Sequence, residues 1–327
     1  MEKRSFNRLG RTVGAVGLGA WQLGADWGTV SEADAMAVLA AAVDDGVTFL
    51  DTADVYGDGR SEQLIGRFLR TRPDAGLTVA TKMGRRVEQR PELYTLDNFR
   101  QWTDRSRTNL GMDTLDLVQL HCPPTAVFSS DEVFDGLDTL VAEKAIAGYG
   151  VSVETCDQAL TAIARPGVAS VQIILNAVRH KPLERVLPAA AAAGVGIIAR
   201  VPLASGLLSG RYDEHTEFPA DDHRNYNRHG AAFDVGETFS GVDYERGLAA
   251  VRRLAPLVGA DRTMAQFALR WVLDQPGVTV VIPGARDAEQ ARRNAETAAL
   301  SPLTDSQLAA VREVYDELIR PQVHDRW

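Results

Sequence analysis

The sequence predicts an α/β fold: a (β/α)8 TIM barrel with an N-terminal β-hairpin and a long loop after the seventh strand. Short β-branched or apolar runs alternate with longer helical periods, which is the pattern of repeated βα units around a parallel sheet. Eight such runs follow one another, and polar residues end several of them, as in a barrel with its chemistry at the carboxyl ends of its strands. No linker or shift in composition divides residues 1–327, so we expect a single domain.

The predicted elements begin with a hairpin near residues 5–12. The strands are expected near residues 14–19, 47–51, 77–82, 115–121, 147–152, 169–174, 195–200 and 278–282, with helices between them. Ser31 and Ser61 are suited to begin the first two helices, and Gly111 is suited to end the third. Residues 211–243 lack clear periodicity, and a loop of this length is typical of a lid or binding loop.

Bulk composition narrows the function. The chain has 35 basic and 44 acidic residues and a net charge of −9, which argues against nucleic acid or an anionic membrane as partner. Its glycine-rich N-terminal stretch fits neither a signal peptide nor a membrane span, so we expect a cytoplasmic protein, with a monomer as its expected state. The cysteines and the histidines of the long loop match no compact ligand motif, so we expect no metal.

Polar residues end three successive apolar runs, VTFLD, LTVATK and LDLVQLH. These residues are Asp51, Lys82 and His121, and Tyr56 lies just past the first run. Reading back in steps of two from each terminal residue predicts which side chains share its face of the sheet: Phe49 with Asp51, Ala80 with Lys82, and Leu117 and Gln119 with His121. All would point into the barrel, which brings the polar groups together at one mouth.

Together these groups suit proton transfer coupled to carbonyl reduction. A tyrosine hydroxyl donates a proton more readily when a nearby lysine draws its pKa of about 10 toward neutrality. Lys82 would be that cation and Tyr56 the donor. Asp51 would keep Lys82 charged and in place, and His121 could orient the substrate oxygen.

Spacing and context resemble the aldo-keto reductase superfamily. The resemblance rests on GLGAWQLG, FLDTADVYGDGRSEQLIGRFL, ATK and LDLVQLH, and continues through YGVS, VPLASGLLSGR and VVIPGARDAEQARRNAE, so that it covers nearly the whole chain. It implies an NADP(H)-dependent reductase of aldehydes or ketones, with hydride delivered from C4 of the nicotinamide. Asp51, Tyr56, Lys82 and His121 match the family's catalytic tetrad, with Tyr56 as general acid.

The resemblance also implies the binding residues. The implied cofactor site consists of Gly19, Ala20, Trp21, Asp51, Ser152, Gln172, Arg200, Val201, Pro202, Leu203, Ser205, Gly206, Leu207, Pro283, Gly284, Ala285, Arg286, Gln290 and Asn294. The implied substrate site consists of Trp21, Trp27, Tyr56 and His121. Arg286 offers a guanidinium fork for a 2′-phosphate at the start of a helix, which favours NADPH over NADH.

Two residues depart from the family pattern. Val153 follows Ser152 where the family has an asparagine at the carboxamide of the nicotinamide; Asn176 is a candidate to compensate. Arg200 stands where most members have an aromatic residue that stacks on the nicotinamide. Its charge would repel the oxidised ring, so the substitution predicts a bias toward reduction.

Three alternatives stay open. The first is a Schiff-base aldolase or lyase that uses Lys82 as nucleophile. The second is a non-catalytic module that senses nicotinamide redox state, as in potassium channel β subunits of the same family. The third is physiological oxidation of a sugar or alcohol by the same machinery, because the substrate loops identify no ligand.

Overall fold

The computed structural model describes residues 1–24 and 30–327. Its strands are β1 Lys3–Phe6, β2 Arg11–Gly14, β3 Leu18–Gly19, β4 Phe49–Asp51, β5 Thr78–Met83, β6 Leu117–His121, β7 Tyr149–Ser152, β8 Val168–Ile174, β9 Gly196–Arg200 and β10 Val278–Val281. Its α-helices are α1 Glu32–Asp44, α2 Arg60–Thr71, α3 Leu96–Leu110, α4 Asp131–Ala142, α5 Cys156–Ile163, α6 Pro182–Ala193, α7 His223–Tyr226, α8 Tyr244–Leu254, α9 Met264–Leu273, α10 Ala288–Glu296, α11 Asp305–Val314 and α12 Arg320–Val323.

The strands from β3 to β10 form a parallel sheet in sequence order. Parallel bridges from Val16 to Val281 and from Gly19 to Gly284 join its two ends, so the sheet closes into the predicted barrel. The predicted hairpin is present as antiparallel β1 and β2. None of the helices in the described ranges is long and apolar enough to cross a membrane.

The inner face of the barrel follows the predicted alternation. Phe49, Ala80 and Leu117 belong to a small apolar cluster, separate from the large cluster that packs the strands against the helices. Two hairpin residues, Phe6 and Val13, join the inner cluster, and the rings of Phe6 and Phe49 stack with their centroids 5.5 Å apart. The hairpin therefore closes the end of the barrel at which the strands begin. Asp51 and Lys82, two positions beyond Phe49 and Ala80, lie toward the carboxyl ends of the strands, at the other end of the barrel.

The helix termini confirm two of the predicted signals and correct one. Ser31 begins α1 by accepting a hydrogen bond from the Asp34 amide, and Gly111 ends α3 in a left-handed conformation. Ser61, in contrast, lies inside α2, which starts at Arg60 after Gly59. The Ser61 hydroxyl is buried, accepts from the Thr52 hydroxyl at 2.8 Å and donates to the Ala20 carbonyl at 3.0 Å, so it joins the loops that follow β4 and β3.

A close approach of two loops positions the tyrosine of the site. A Cβ on Gly57 would lie 2.0 Å from the Gly24 carbonyl oxygen, so only glycine fits there. This contact brings the turn Trp21–Gly24 against the loop after β4. As a result the rings of Trp21 and Tyr56 stack, with centroids 6.0 Å apart.

The long loop after β9 is mostly irregular, as predicted, but it contains α7 and short turns at Val235–Glu237 and Phe239–Gly241. Asn176 donates to the Ser240 hydroxyl at 2.7 Å. The indole of Trp327 donates to Asp234 at 3.1 Å, and its ring lies 3.7 Å from the Arg179 guanidinium. The second half of the loop is therefore fixed against the barrel.

A buried carboxyl belongs to the same loop as Tyr56. Asp54 is 1% exposed, and neither oxygen of its carboxyl has a hydrogen-bond partner in the described part of the chain. Burial and then the neighbouring Glu62 raise the pKa of Asp54 to about 7, although Arg86 and Arg105 oppose the shift. The carboxyl is therefore favoured as the neutral acid in the fold.

This raised pKa makes stability depend on pH. The unfolded chain releases the Asp54 proton near pH 4 and the folded chain near pH 7, so stabilisation present at low pH is lost as the pH rises between these values. We therefore compare the free energies of unfolding of Asp54→Asn and wild type, measured by urea titration at pH 4 and at pH 8. Between pH 4 and pH 8, we expect the stability of Asp54→Asn relative to the wild type to increase by roughly 2–4 kcal/mol. Asp135→Asn, at an exposed aspartate, is the control. Equal pH dependence in wild type and Asp54→Asn would contradict this assignment.

Candidate active site

A buried ion pair lies at the bottom of the site, at the carboxyl ends of the barrel strands. Lys82 is 1% exposed, and its Nζ donates to Asp51 Oδ2 at 2.6 Å and to the Thr52 carbonyl at 2.8 Å. The same Nζ lies 3.2 Å from the Tyr56 hydroxyl. The structure thus places Lys82, the predicted cation, within hydrogen-bond range of both Asp51, its predicted partner, and Tyr56, the predicted proton donor.

Two buried amides complete the surroundings of Asp51. Gln172 donates from Nε2 to Asp51 Oδ1 at 2.7 Å, and Gln119 donates to the same oxygen at 3.3 Å. These bonds compensate the carboxylate for its loss of water. Gln172 also lines the cavity above, where the resemblance places the nicotinamide carboxamide.

The pKa of Tyr56 differs in direction from the sequence expectation. Burial raises the pKa above its ordinary value, and this effect exceeds the lowering by Lys82; Asp51 and Glu237 raise the pKa further. The predicted lowering is therefore wrong, because desolvation outweighs the effect of the lysine charge. Tyr56 is consequently protonated at neutral pH, which is the state that a general acid requires.

His121 is held as the neutral imidazole beside Tyr56. The two rings meet edge to face, with centroids 5.9 Å apart. Burial, followed by the positive charges of Arg85, Lys82 and Arg200, lowers the pKa of His121 well below its ordinary value. His121 lines the cavity at the barrel mouth, while its Nδ1 is buried and has no hydrogen-bond partner among the described residues.

A cavity of about 730 Å³ opens above these residues. Most of the predicted site residues line it: Gly19, Trp21, Asp51, Tyr56, His121, Ser152, Gln172, Arg200, Val201, Pro202, Leu203, Ser205, Gly206, Pro283, Gly284, Arg286, Gln290 and Asn294. A cavity of this size is large enough for a small ligand and part of a cofactor.

Other predicted site residues lie elsewhere. Ala20, Leu207 and Ala285 are almost fully buried and do not line the cavity, because their side chains pack into the core. Lys82 also lies outside the lining, behind Asp51 and Tyr56. Trp27 falls outside the described residues.

Arg200 has a partner that the sequence did not reveal. Its guanidinium forms a buried ion pair with Glu237 of the long loop and donates to the Val153 carbonyl at 3.0 Å. Although burial favours the neutral acid, Arg200 and Arg85 lower the pKa of Glu237. The positive charge of Arg200 is therefore largely offset, which weakens the predicted repulsion of an oxidised nicotinamide.

The position of Asn176 excludes the compensating role considered for it. Its Nδ2 donates to the Val201 carbonyl and to Ser240, and its Oδ1 accepts from the Val178 amide. Asn176 is fully buried and does not line the cavity. It anchors the long loop and does not replace the amide that is missing at Val153.

The other end of the cavity fits an anionic cofactor. Arg286, just before α10, and Gln290, Arg293 and Asn294 on α10 line it. Val201 and Ser205, which also line the cavity, adopt left-handed backbone conformations, with φ of 51° and 57°. Strained backbone of this kind gathers at ligand sites, and basic groups at a helix N-terminus suit phosphates. The donor set therefore fits a phosphate-bearing dinucleotide.

Several cavity residues escaped the sequence analysis. Arg85 follows Lys82 by three positions and could have been found from the strand-end rule. Phe233 and Glu237 lie within the loop that was predicted to bind, without a pattern that singles them out. Arg293 stands next to Asn294 in a segment already assigned to the cofactor.

Comparisons with known proteins agree with this geometry. A model of the Aldo/keto reductase family matches residues 15–316. The chain is 28% identical over 316 residues to Uncharacterized oxidoreductase YqkF of Bacillus subtilis, covering 95% of this chain and 96% of that protein. It is 34% identical over 240 residues to D-threo-aldose 1-dehydrogenase of a Pseudomonas species, covering 62% of this chain and 72% of that enzyme.

Among solved structures, a glycerol dehydrogenase from Gluconobacter oxydans superposes with a TM-score of 0.79. It is 28% identical in sequence, and the match covers 98% of this chain and 96% of that one. The match over residues 15–316 shows that this chain belongs to the aldo/keto reductase family of NAD(P)H-dependent oxidoreductases.

Proposed function

We propose that this protein reduces an aldehyde or ketone to the alcohol with NADPH, with Tyr56 as the general acid. The observation that carries the proposal is the Tyr56 hydroxyl at 3.2 Å from Lys82 Nζ, at the base of the cavity. The names of the related enzymes, an aldose dehydrogenase and a glycerol dehydrogenase, describe oxidation. Oxidation of an alcohol is the same reaction in reverse and uses the same residues.

The proton transfer follows from the contacts around Tyr56. When bound, the nicotinamide cofactor supplies a hydride to the carbonyl carbon, which leaves the carbonyl oxygen as an alkoxide. Tyr56 gives this oxygen its phenolic proton, and the resulting phenolate is stabilised by Lys82. Asp51 keeps Lys82 charged, and neutral His121 can hydrogen-bond to the substrate oxygen.

The electrostatics argue against the aldolase alternative. A Schiff-base lysine must lose its proton to act as a nucleophile. Burial lowers the pKa of Lys82, but Asp51 and Tyr56 outweigh it and hold the pKa above its ordinary value. Lys82 also donates to three oxygens, which suits a fixed cation better than a nucleophile.

The first test removes the proton donor. Tyr56→Phe keeps the ring and deletes the hydroxyl, so we expect kcat for aldehyde reduction to fall by roughly 10²- to 10⁴-fold with little change in NADPH affinity. Tyr94→Phe is the matched control, because its hydroxyl bonds to Gln89 outside the cavity. Stopped-flow NADPH oxidation with a panel of aldehydes gives the rates. Tight NADPH binding by a wild type that reduces no member of the panel would favour the redox-sensing module instead.

The second test concerns cofactor choice. If Arg286 binds the 2′-phosphate, Arg286→Ala loses a charge-assisted hydrogen bond, and we expect the Kd for NADPH to rise about 10- to 100-fold. The Kd for NADH, which lacks that phosphate, should change little. Arg292→Ala is the control on the same helix, since Arg292 is exposed and does not line the cavity. Fluorescence titration measures both constants; equal losses for NADH and NADPH would contradict the role of Arg286.

The third test concerns the Arg200–Glu237 pair. Glu237→Gln removes the offsetting charge, so Arg200 should repel the cationic ring of NADP⁺ while NADPH is little affected. We expect the ratio of Kd for NADP⁺ to Kd for NADPH to rise about tenfold, corresponding to about 1.4 kcal/mol. Adding Arg200→Met to Glu237→Gln should restore the wild-type ratio. A ratio that Glu237→Gln leaves unchanged would place Arg200 away from the nicotinamide.

A further inference from the structure

We propose that the carbonyl substrate carries a carboxylate, and that Arg85 binds it. The inference rests on the proposed reduction and adds to it a class of substrate: an oxo acid whose carbonyl reaches Tyr56 while its carboxylate reaches Arg85. Arg85 would then determine substrate specificity. It lines the same cavity as Asp51, Tyr56 and His121 but is not one of the four tetrad residues.

The position of Arg85 places a cation at the substrate end of the cavity. Arg85 follows β5, lines the cavity and has a side chain that is 24% exposed. Its Nε donates to the His121 carbonyl at 3.1 Å, which fixes the guanidinium beside the end of β6. The positive charge also reaches the His121 ring, whose pKa it helps to lower. A group bound by Arg85 would therefore lie close to the reacting centre.

Arg85 differs from Arg200 and Arg224 in having a terminal guanidinium nitrogen that makes no hydrogen bond within the described chain. Arg200 is buried in its pair with Glu237, and Arg224 is buried in its pair with Asp222. Arg85 also forms an ion pair, from Nη2 to Glu154 at 3.1 Å, but this pair is more exposed than the other two, and Glu154 does not line the cavity. Within the described chain, no hydrogen bond leaves Nη1 of Arg85. That part of the guanidinium can donate to a ligand in the cavity.

The walls around Arg85 define the rest of the substrate. Trp21, Val55 and Phe233 line the same cavity and offer apolar surfaces, and the rings of Trp21 and Phe233 meet with centroids 6.2 Å apart. A guanidinium binds a carboxylate through parallel hydrogen bonds, which fix its direction as well as its charge. The site thus suits a short carbonyl compound with an apolar body and one carboxylate.

The experiment compares acids with their uncharged esters. The substrates are 4-oxobutanoate and 4-carboxybenzaldehyde, each paired with its methyl ester, at saturating NADPH. The enzymes are wild type, Arg85→Gln, Arg85→Lys and the control Arg90→Gln, an exposed arginine in the same loop that does not line the cavity. In wild type we expect kcat/KM for the better acid to exceed that of its ester by about tenfold or more.

In Arg85→Gln this ratio should fall about tenfold or more, mainly through KM for the acid. Arg85→Lys should retain part of it, because it keeps the charge and loses the fork. Arg90→Gln should retain all of it. The proposal is overturned if wild type prefers both esters, if Arg85→Gln slows acid and ester equally, or if Arg85→Gln raises the Kd for NADPH, which would assign Arg85 to the cofactor.

A binding measurement separates this inference from the proposed reaction. Calorimetric titration of the NADP⁺-loaded protein with 4-methylbenzoate and with its methyl ester needs no turnover. Tighter binding of the acid that is lost in Arg85→Gln supports the carboxylate site even if no carbonyl is reduced. If the esters are reduced in a Tyr56-dependent way but neither acid is preferred over its ester, the proposed reduction is supported and the carboxylate site is rejected.

Discussion

The buried ion pair between Asp51 and Lys82 is the constraint on which the rest of the site depends. Two charges without water are stable only when their geometry is good and their remaining hydrogen-bonding groups are satisfied, and losing one partner costs about 3–5 kcal/mol. The barrel provides that geometry through strand register: Asp51 pairs with Ala80, so Lys82 emerges two positions beyond, on the same inner face. Gln172 and the Thr52 carbonyl satisfy the remaining groups.

The pair also determines what Tyr56 can do. Burial favours the protonated tyrosine, and in the proposed reaction Lys82 provides a cation for the phenolate that remains once the proton has left. Trp21 contributes to this burial by stacking on Tyr56, and the stacking depends on the glycine contact between Gly24 and Gly57. The burial of one hydroxyl thus depends on a packing contact made by another loop.

The charge of the cavity lining is opposite in sign to the net charge of the chain. The chain as a whole carries −9, yet the lining of the described cavity includes six arginines against two carboxylates: Arg85, Arg200, Arg211, Arg224, Arg286 and Arg293 against Asp51 and Glu237. Concentrated positive charge in a cleft attracts anions. A phosphorylated cofactor accounts for the arginines around α10, and the proposed substrate carboxylate would account for Arg85.

The sequence by itself determined the barrel, the order of its strands and the inward direction of Asp51, Lys82 and His121. These follow from local periodicity, because a strand alternates every two residues whatever packs around it. Motifs in continuous segments likewise located most of the cavity lining. Even there, burial removed Ala20, Leu207 and Ala285 from the lining, since a motif does not say which way each side chain points.

Only the tertiary structure decided the features that depend on contacts between distant segments. The pKa of Tyr56 rises because several loops bury it, and a list of neighbouring charges omits that desolvation. Arg200 meets Glu237 across 37 residues of sequence, and Glu237 lies in a loop without periodicity. Ser61 joins two loops, where its position had predicted a helix cap. Periodicity encodes the direction of a side chain, whereas its partner and its exposure to water are set by the packing of the whole fold.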